Sequence, residues 1–307
     1  MSSTQHALGF KMARGRSEPR FRQPPWRFRL QGSETAWAVA FVIPYVAVFA
    51  AFVLYPAAYG LWMGRSPSLY GLLFSDPRYV NAAVNTLLFV AVGVNVKMFL
   101  AFLLSGYFMS RSWWVRLLLA IYLIPWALPA VVVFTSIHFM LVTQWGLLDS
   151  LWRAVTGEDG PLFLTSEWIA MAANIVSYIW KWMPFWTLIF LAARMAIPRD
   201  IYEAAEIDGA TGFKRLVHVT FPLLANVYLI CTLLSTVWTL GDFPTVYFVS
   251  SGAPARLTDV LATYGFREAF DFGYPNLGVA AMMSALPVLI PLVILLMRRV
   301  RATGVQL

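Results

Sequence analysis

Six long apolar stretches, each with at most one charged residue, constrain this sequence more than any other feature. A run of about 20 apolar residues is long enough to cross the hydrocarbon core of a bilayer as a helix. The chain is also 60% hydrophobic and only 12% charged, which excludes an ordinary soluble domain. The sequence therefore predicts an all-α polytopic membrane protein with six transmembrane helices. Their expected bounds are about 36–62, 80–109, 117–142, 168–193, 225–249 and 274–297.

Prolines inside two of these stretches predict distortions of the helices. Pro44 and Pro56 fall in the first stretch, and Pro125 and Pro129 fall in the third. Proline lacks the N–H that a helix needs and clashes with the preceding turn, so we expect a bend in the third span above all.

The distribution of Lys and Arg predicts the orientation. Of the 23 such residues, 16 lie in segments 1–35, 110–116, 194–224 and 298–307, and five lie in the alternate loops. Cytoplasmic loops carry the excess of basic residues, so both termini are expected in the cytoplasm. We expect a basic cytoplasmic tail over 1–35, a transmembrane domain over 36–298 and a cytoplasmic tail over 299–307. Orientation also explains the net charge of +8 better than a nucleic-acid partner does. No apolar stretch typical of a cleavable signal peptide precedes residue 36, so none is expected.

The segment 198–222 is unusually charged for this chain and carries Glu203, Glu206 and Asp208. Its first half predicts a short amphipathic helix with Ile201, Ala204, Ala205 and Asp208 on one face. Gly209 permits a left-handed exit from that helix. From the residues alone, a docking helix for a soluble partner and a solvated loop are both open interpretations.

The same segment carries a recognisable motif. Glu203-Ala204-Ala205, then Gly209, then Val219-Thr220-Phe221-Pro222 follow one another at the spacing of the EAA loop, with Val219 and Phe221 in place of the usual Ile and Leu. The chain thus resembles the membrane subunits of binding-protein-dependent ABC importers. Asn85-Thr86-Leu87 and the segment from Ser250 to Pro254 resemble the maltose- and glycerol-phosphate-type branch, and the resemblance covers about residues 36–298.

The resemblance implies a type I ABC importer permease fold in the inner membrane, surrounded by membrane lipid. It implies a coupling helix in a cleft of a cytoplasmic ATPase, with ATP and Mg²⁺ bound on that partner. The implied partners are two ABC ATPase subunits, a second, paralogous permease, and a periplasmic or lipid-anchored solute-binding protein. The implied solute is a sugar or a related compound such as a polyol or glycerol phosphate. The residues implied in ATPase coupling are Glu203, Ala204, Ala205, Asp208, Gly209 and Pro222.

The sequence offers no chemistry of its own to drive transport. Gly209 to Lys214 lacks the spacing of a phosphate-binding loop. The three histidines, His6, His138 and His218, are far apart in sequence, so neither a metal site nor a catalytic set is expected. We therefore expect a transport subunit with no cofactor of its own, not an enzyme. An ion-coupled secondary carrier is the alternative of a different class.

Three ionisable residues lie within the apolar stretches, namely Lys97, Lys181 and Asp242. Charged groups inside a membrane are costly and mark solute or ion paths by default. One hypothesis is that they line a solute path with neighbouring polar and aromatic side chains. The other is that a lysine pairs with Asp242 or extends its charge to the interface, which would be structural. The candidate solute-path residues are Lys97, Asn174, Tyr178, Trp180, Lys181, Trp238, Asp242 and Tyr247.

Overall fold

A computed structural model describes residues 34–302, and every regular element in that range is a helix. The predicted basic tail lies outside the described residues up to residue 33, as do the last five residues of the predicted carboxyl-terminal tail. The helices are α1 Trp37–Met63, α2 Pro67–Ser75, α3 Pro77–Tyr107, α4 Trp113–Ala127, α5 Ala130–Leu141, α6 Leu147–Thr156, α7 Glu167–Met195, α8 Arg199–Ile207, α9 Gly212–Leu240, α10 Pro244–Val249, α11 Leu261–Phe266, α12 Pro275–Met283 and α13 Leu286–Ala302.

Five helical stretches within the described residues are long and apolar enough to cross a membrane: α1, α3, α7, α9 and the range Pro275–Arg299. A sixth crossing forms if α4 and α5, which meet at 94°, are one broken span. The bend predicted in the third span is confirmed, but the single helix predicted over 117–142 is wrong. Pro129 stands at the break, where its ring and missing N–H stop α4.

Residues 37–56 form a helix that is apolar on all sides. Phe41, Ile43, Tyr45 and Phe52 are among its many exposed side chains. A helix that is hydrophobic all round is suited to the interior of a membrane. Pro44 lies within it without ending it, and a π-helical turn follows at Ala50–Leu54.

In the part of the chain from residue 57 onward, α3, α7 and α9 pack into one apolar core. Met98 and Phe102 from α3 meet Trp186 and Phe190 from α7, and Cys231 from α9 is buried among them. The rings of Phe102 and Phe190 contact edge to face at 5.6 Å between centroids. These three helices form the frame that positions the polar groups described below.

The loops at one end of the bundle contain helices that the sequence did not predict: α2, α6 and α11 lie within the expected loops 63–79, 144–167 and 250–273. Asparagines of α3 hold the last of these loops, because Asn85 Nδ2 donates to the carbonyls of Leu257 and Asp259 at 2.6 and 3.0 Å. Thr86 Oγ1 accepts from the N–H of Leu261 at 2.8 Å. The Asn-Thr pair therefore anchors this loop to α3.

Two groups of charged side chains, around Asp76 and around Asp259, add contacts at the same end of the bundle. The Tyr264 hydroxyl donates to Asp76 at 3.0 Å. Burial of Asp76 opposes its ionisation, but hydrogen bonds from Arg78 and Tyr264 outweigh burial and hold the pKa of this carboxyl below its usual value. Burial raises the pKa of Asp259 despite the nearby Arg267, whose Nε lies 3.2 Å from its carboxylate.

The fifth span departs from the prediction at both ends. The observed helix α9 starts at Gly212 and ends at Leu240, whereas the sequence predicted a span over about 225–249. Asp242 therefore lies beyond the span, in the break before α10, where its Oδ1 accepts from the Thr245 N–H at 3.1 Å. A carboxylate that takes an N–H of the first helical turn favours a helix start at that point.

Candidate coupling helix and intramembrane polar groups

The amphipathic helix predicted around Glu203 exists as α8, and its end has defined geometry. Gly209 has φ +76°, a conformation that glycine adopts at little cost. The N–H of Ala210 bonds to the Ala205 carbonyl at 2.8 Å, and the N–H of Gly209 bonds to Glu206 at 3.1 Å. These two bonds form a Schellman motif. The predicted role of Gly209 as the turn that ends this helix is therefore confirmed.

The predicted face of α8 is divided in the structure. Ala205 is buried at 8% exposure and Tyr202 is half-buried, whereas Ala204 and Asp208 are exposed. The residues predicted on one face therefore differ in burial, and only Ala205 of that face packs inside the chain. The outward face carries Glu203, Ala204 and Ile207, and Ile207 is 88% exposed. Glu203 makes no hydrogen bond or ion pair with any residue in 34–302.

Arg215 joins α8 to the start of α9. It forms an ion pair with Glu206 and lies over the ring of Tyr202 at 5.6 Å from the centroid. Pro222 is not part of the loop as predicted, because it lies within the continuous helix α9. A π-helical turn at Leu216–Thr220 directly precedes the segment that contains Pro222. Proline lacks a helical N–H, and such turns accommodate the missing bond.

Lys97 and Tyr178 form a buried polar contact between α3 and α7. Lys97 is 1% exposed, and its Nζ donates to the Tyr178 hydroxyl at 2.6 Å. The same hydroxyl bonds to Thr239 of α9. Within the described residues, Lys97 and Asp242 do not form an ion pair. Lysine pairing with Asp242, one of the two sequence hypotheses, does not occur as a direct contact.

Lys181 has a different role at the break of the third span. Its Nζ donates to the carbonyls of Pro125 at 2.9 Å and Leu128 at 2.8 Å. Residue 129 would normally supply the N–H for the Pro125 carbonyl, but it is a proline. The ammonium of α7 therefore replaces hydrogen bonds that the broken α4–α5 span cannot make by itself.

The remaining candidate solute-path residues do not converge on one cavity. Asn174 is fully buried and donates to Ser250 Oγ at 2.9 Å. Trp238 is 54% exposed and packs against Trp186. Tyr247 stacks on Phe243 at 4.5 Å. Trp180 lines a separate apolar groove of about 440 Å³ with Ile137 and Val176. The structure brings together only Lys97 and Tyr178, with Asp242 nearby.

Comparison with known proteins decides the class. Residues 97–302 match the family described as binding-protein-dependent transport system inner membrane component. The chain belongs to this family. It is the membrane-spanning permease subunit of an ATP-binding-cassette importer, a non-catalytic transport subunit and a multi-pass protein of the inner membrane.

Among its relatives is the sulfoquinovosyl glycerol transport system permease protein SmoG of Agrobacterium fabrum, 28% identical over 86% of this chain and 90% of that protein. The trehalose/maltose transport system permease protein MalF of Thermococcus litoralis is 27% identical over 85% of this chain and 90% of that protein. The lactose transport system permease protein LacF of Rhizobium radiobacter is 29% identical over 81% and 88%.

Solved structures agree with the expected fold of this permease. A chain of a bacterial ABC transporter that imports the acidic polysaccharide alginate superposes with a TM-score of 0.75 at 21% identity. The match covers 87% of this chain and 96% of that one. The type I importer fold is therefore confirmed. Within the described residues no group of three or more His, Cys, Asp or Glu side chains could hold a metal ion.

Sequence analysis missed several residues that organise the permease. Thr239 completes the Lys97 and Tyr178 contact, and Ser105 receives a hydrogen bond from a buried Arg194 at 2.7 Å. Thr and Ser look like ordinary helix residues in a span, so their sequence carries no signal. Arg194 carries a signal, because it ends an otherwise apolar stretch, but the charge distribution explains it equally well as a residue that orients the chain.

Proposed function

We propose that this permease translocates a sugar or a closely related solute, driven by ATP hydrolysis on two cytoplasmic ABC ATPase subunits, one of which docks on α8. The observation that carries the docking proposal is the outward face of α8, where Glu203 has no partner among the described residues and Ile207 is 88% exposed. A short helix with an apolar residue and a free carboxylate suits a groove on a protein partner. ATP and Mg²⁺ would bind on that partner.

The proposed arrangement assigns each coupling residue a task. Glu203 pairs with a basic group of the ATPase, and the small Ala204 allows close approach. Gly209 fixes the end of the helix, and the exposed Asp208 lies directly before Gly209. Pro222 acts indirectly, from inside α9. ATP-driven closure of the two ATPases would pull the coupling helices together and switch the membrane subunits between inward and outward states.

The proposal of a sugar as solute rests on relatives that carry trehalose or maltose, lactose and sulfoquinovosyl glycerol in their names. We infer that Trp180, Trp238 and Tyr247 are the candidate solute contacts among the predicted residues, because part of each ring is accessible. Lys97, Asn174, Tyr178 and Lys181 are buried and bonded within the chain, so we assign them to holding the bundle. Asp242 is half-buried at the end of α9 and stays a solute-path candidate.

Purification from the native membrane in mild detergent tests the docking proposal. We expect an ABC ATPase, a second and paralogous permease, and ATP hydrolysis that a loaded solute-binding protein stimulates. Glu203→Ala should lower that stimulation by at least about tenfold, since removing one partner of a desolvated charge pair costs more than one power of ten in affinity. Asp200→Ala on the same helix is the matched control.

Two results would count against the proposal. Full stimulation in Glu203→Ala would remove Glu203 from the coupling contact. A folded chain recovered alone from several detergents, without ATPase activity, would contradict the ATPase partner. The solute is tested separately, by uptake of a panel of sugars, polyols and glycerol phosphate into proteoliposomes that hold the assembled transporter.

A further inference from the structure

A pocket rich in arginine lies between the turn after α3, the end of α7 and helix α8. It consists of two cavities of about 400 and 450 Å³ that share Met109, Arg194, Arg199 and Tyr202 in their walls. Within the described residues no Asp or Glu lines either cavity. The arginines of this pocket, called here the arginine pocket, are Arg111, Arg116, Arg194, Arg199 and Arg215.

Arg194 is the informative member of the arginine pocket. It is 5% exposed, and its Nε and Nη2 donate to Ser105 Oγ at 2.7 Å and to the Phe102 carbonyl at 2.9 Å. Its Nη1 has no hydrogen-bond partner, and no carboxylate lies within ion-pair distance of it, among residues 34–302. An arginine cannot lose its proton in a protein. The Phe102 ring lies 4.4 Å from the Arg194 Cζ, but a buried charge without a counter-charge is unfavourable, so this geometry favours an anion at the free nitrogen.

The other arginines add to the unbalanced charge. Arg111 and Arg199 are exposed and have no ion pair with a described residue. Arg116 donates only to the carbonyl of Arg111, at 3.1 Å. Arg215 is already balanced by Glu206. Membrane orientation accounts for basic residues at this end of the bundle, but it does not account for a buried guanidinium with a free nitrogen.

We propose that the arginine pocket binds the phosphate group of an anionic phospholipid. The planar fork of arginine matches phosphate with two parallel hydrogen bonds, and Nη1 of Arg194 is free to make one of them. Phe108, Met109, Met195 and Ile197 line the same cavity and give the glycerol and acyl parts an apolar surface. A free phosphate would use the charges and leave this apolar lining without a partner.

The location gives the lipid a consequence for the permease. Arg199 and Tyr202 belong to α8, whereas Arg111, Arg116 and Arg194 belong to the membrane helices and the turn between them. A bound phosphate therefore bridges the first turn of α8 to the bundle. This inference does not rest on the ATPase proposal, because none of the contacts that carry it involves Glu203, although Arg199 lies one helical turn before Glu203.

The test uses the complete transporter in nanodiscs of phosphatidylcholine alone or with added phosphatidylglycerol. Native mass spectrometry measures the retained lipid, and thermal unfolding measures stability. We expect phosphatidylglycerol to be retained and to raise the unfolding temperature. The double variant Arg111→Gln and Arg199→Gln should weaken retention by about tenfold or more, since it removes two charged donors. Arg298→Gln, an exposed arginine outside the pocket, should retain the lipid.

Arg194→Lys provides a second variant that keeps the charge and loses the fork, and it should also lose retention. Equal retention of phosphatidylglycerol by the double variant and the Arg298→Gln control would overturn the proposal. Equal stabilisation by phosphatidylcholine alone would overturn it as well. If inorganic phosphate stabilised the protein as much as phosphatidylglycerol, and no lipid were retained, the lipid source would be wrong and the pocket would take a free anion.

Discussion

Lys97 places its amino group in the centre of the bundle, where its hydrogen-bond partner among the described residues is a tyrosine and not a carboxylate. Its ammonium is also 4.1 Å from the Tyr178 ring centroid, so one side chain offers both an oxygen and a π face to the cation. Tyr178 in turn bonds to Thr239. Three helices are thereby joined at one hydroxyl, which makes that hydroxyl a structural group.

Removing the hydroxyl should therefore reduce stability before it reduces solute recognition. In Tyr178→Phe the buried ammonium loses its oxygen partner, and we expect a loss of about 1–3 kcal/mol in the free energy of unfolding. Each kcal/mol lost lowers Tm by about 2–4 °C in a chain of this size, and thermal unfolding in detergent measures the shift. Tyr274→Phe, at an exposed tyrosine, should leave Tm unchanged. Unchanged Tm together with lost uptake in Tyr178→Phe would instead return Tyr178 to the solute path.

Helix α8 shows how much an element depends on one backbone conformation. Gly209 and Gly71 both have open space where a Cβ would stand, but only Gly209 has a positive φ, at +76°. The same substitution therefore isolates the conformational cost from any steric clash.

We expect Gly209→Ala to destabilise the end of α8 by about 1 kcal/mol, since alanine is strained at positive φ. ATPase stimulation should fall while the Tm of the membrane bundle stays unchanged. Gly71→Ala, inside the regular helix α2, should leave stimulation intact and raise stability slightly. Equal stimulation in the two variants would show that the Schellman end of α8 does not govern coupling.

Element boundaries also show where sequence reasoning reached its limit. Glu203, Gly209 and the apolar runs predicted α8 and the spans, because periodicity and glycine act locally. Asp242 was placed inside a span because the apolar run continues past it, and nothing local shows that α9 ends at Leu240. Pro129 predicted the bend of the third span, but local sequence shows neither the 94° angle nor the distant donor from α7 at the break.

At the scale of the whole molecule, hydrophobicity predicted six crossings, and the described residues contain five, or six if the bent pair is one span. The direction of the crossings stays a prediction from the charge distribution. The pairing of helices could not be predicted this way, because a membrane helix that is apolar on every side gives no preferred face. The candidate solute residues were scattered for the same reason, since Lys97, Trp180 and Tyr247 point into different surroundings that only the packed bundle defines.

Orientation can be measured on the intact chain. Cys231 is the only cysteine and is buried, so an introduced cysteine can be labelled selectively. Ile207 and Phe270 are 88% and 75% exposed and belong to segments predicted on opposite sides. We expect a membrane-impermeant maleimide to label Phe270→Cys in cells with a permeabilised outer membrane. Ile207→Cys should be labelled only in inverted vesicles prepared without the ATPase. The reverse result would show that the charge distribution misplaced both termini.

The bond from Lys181 to the broken third span has a consequence for how the chain is made. A ribosome delivers α4 and α5 before α7, so the Pro125 and Leu128 carbonyls exist before their donor does. Each unpaired carbonyl costs several kcal/mol in a lipid environment. The third segment therefore gains its full stability only once Lys181 has been synthesised. We expect α4, α5 and α7 to leave the insertion machinery together, because α4 and α5 alone would enter the lipid with these carbonyls unpaired.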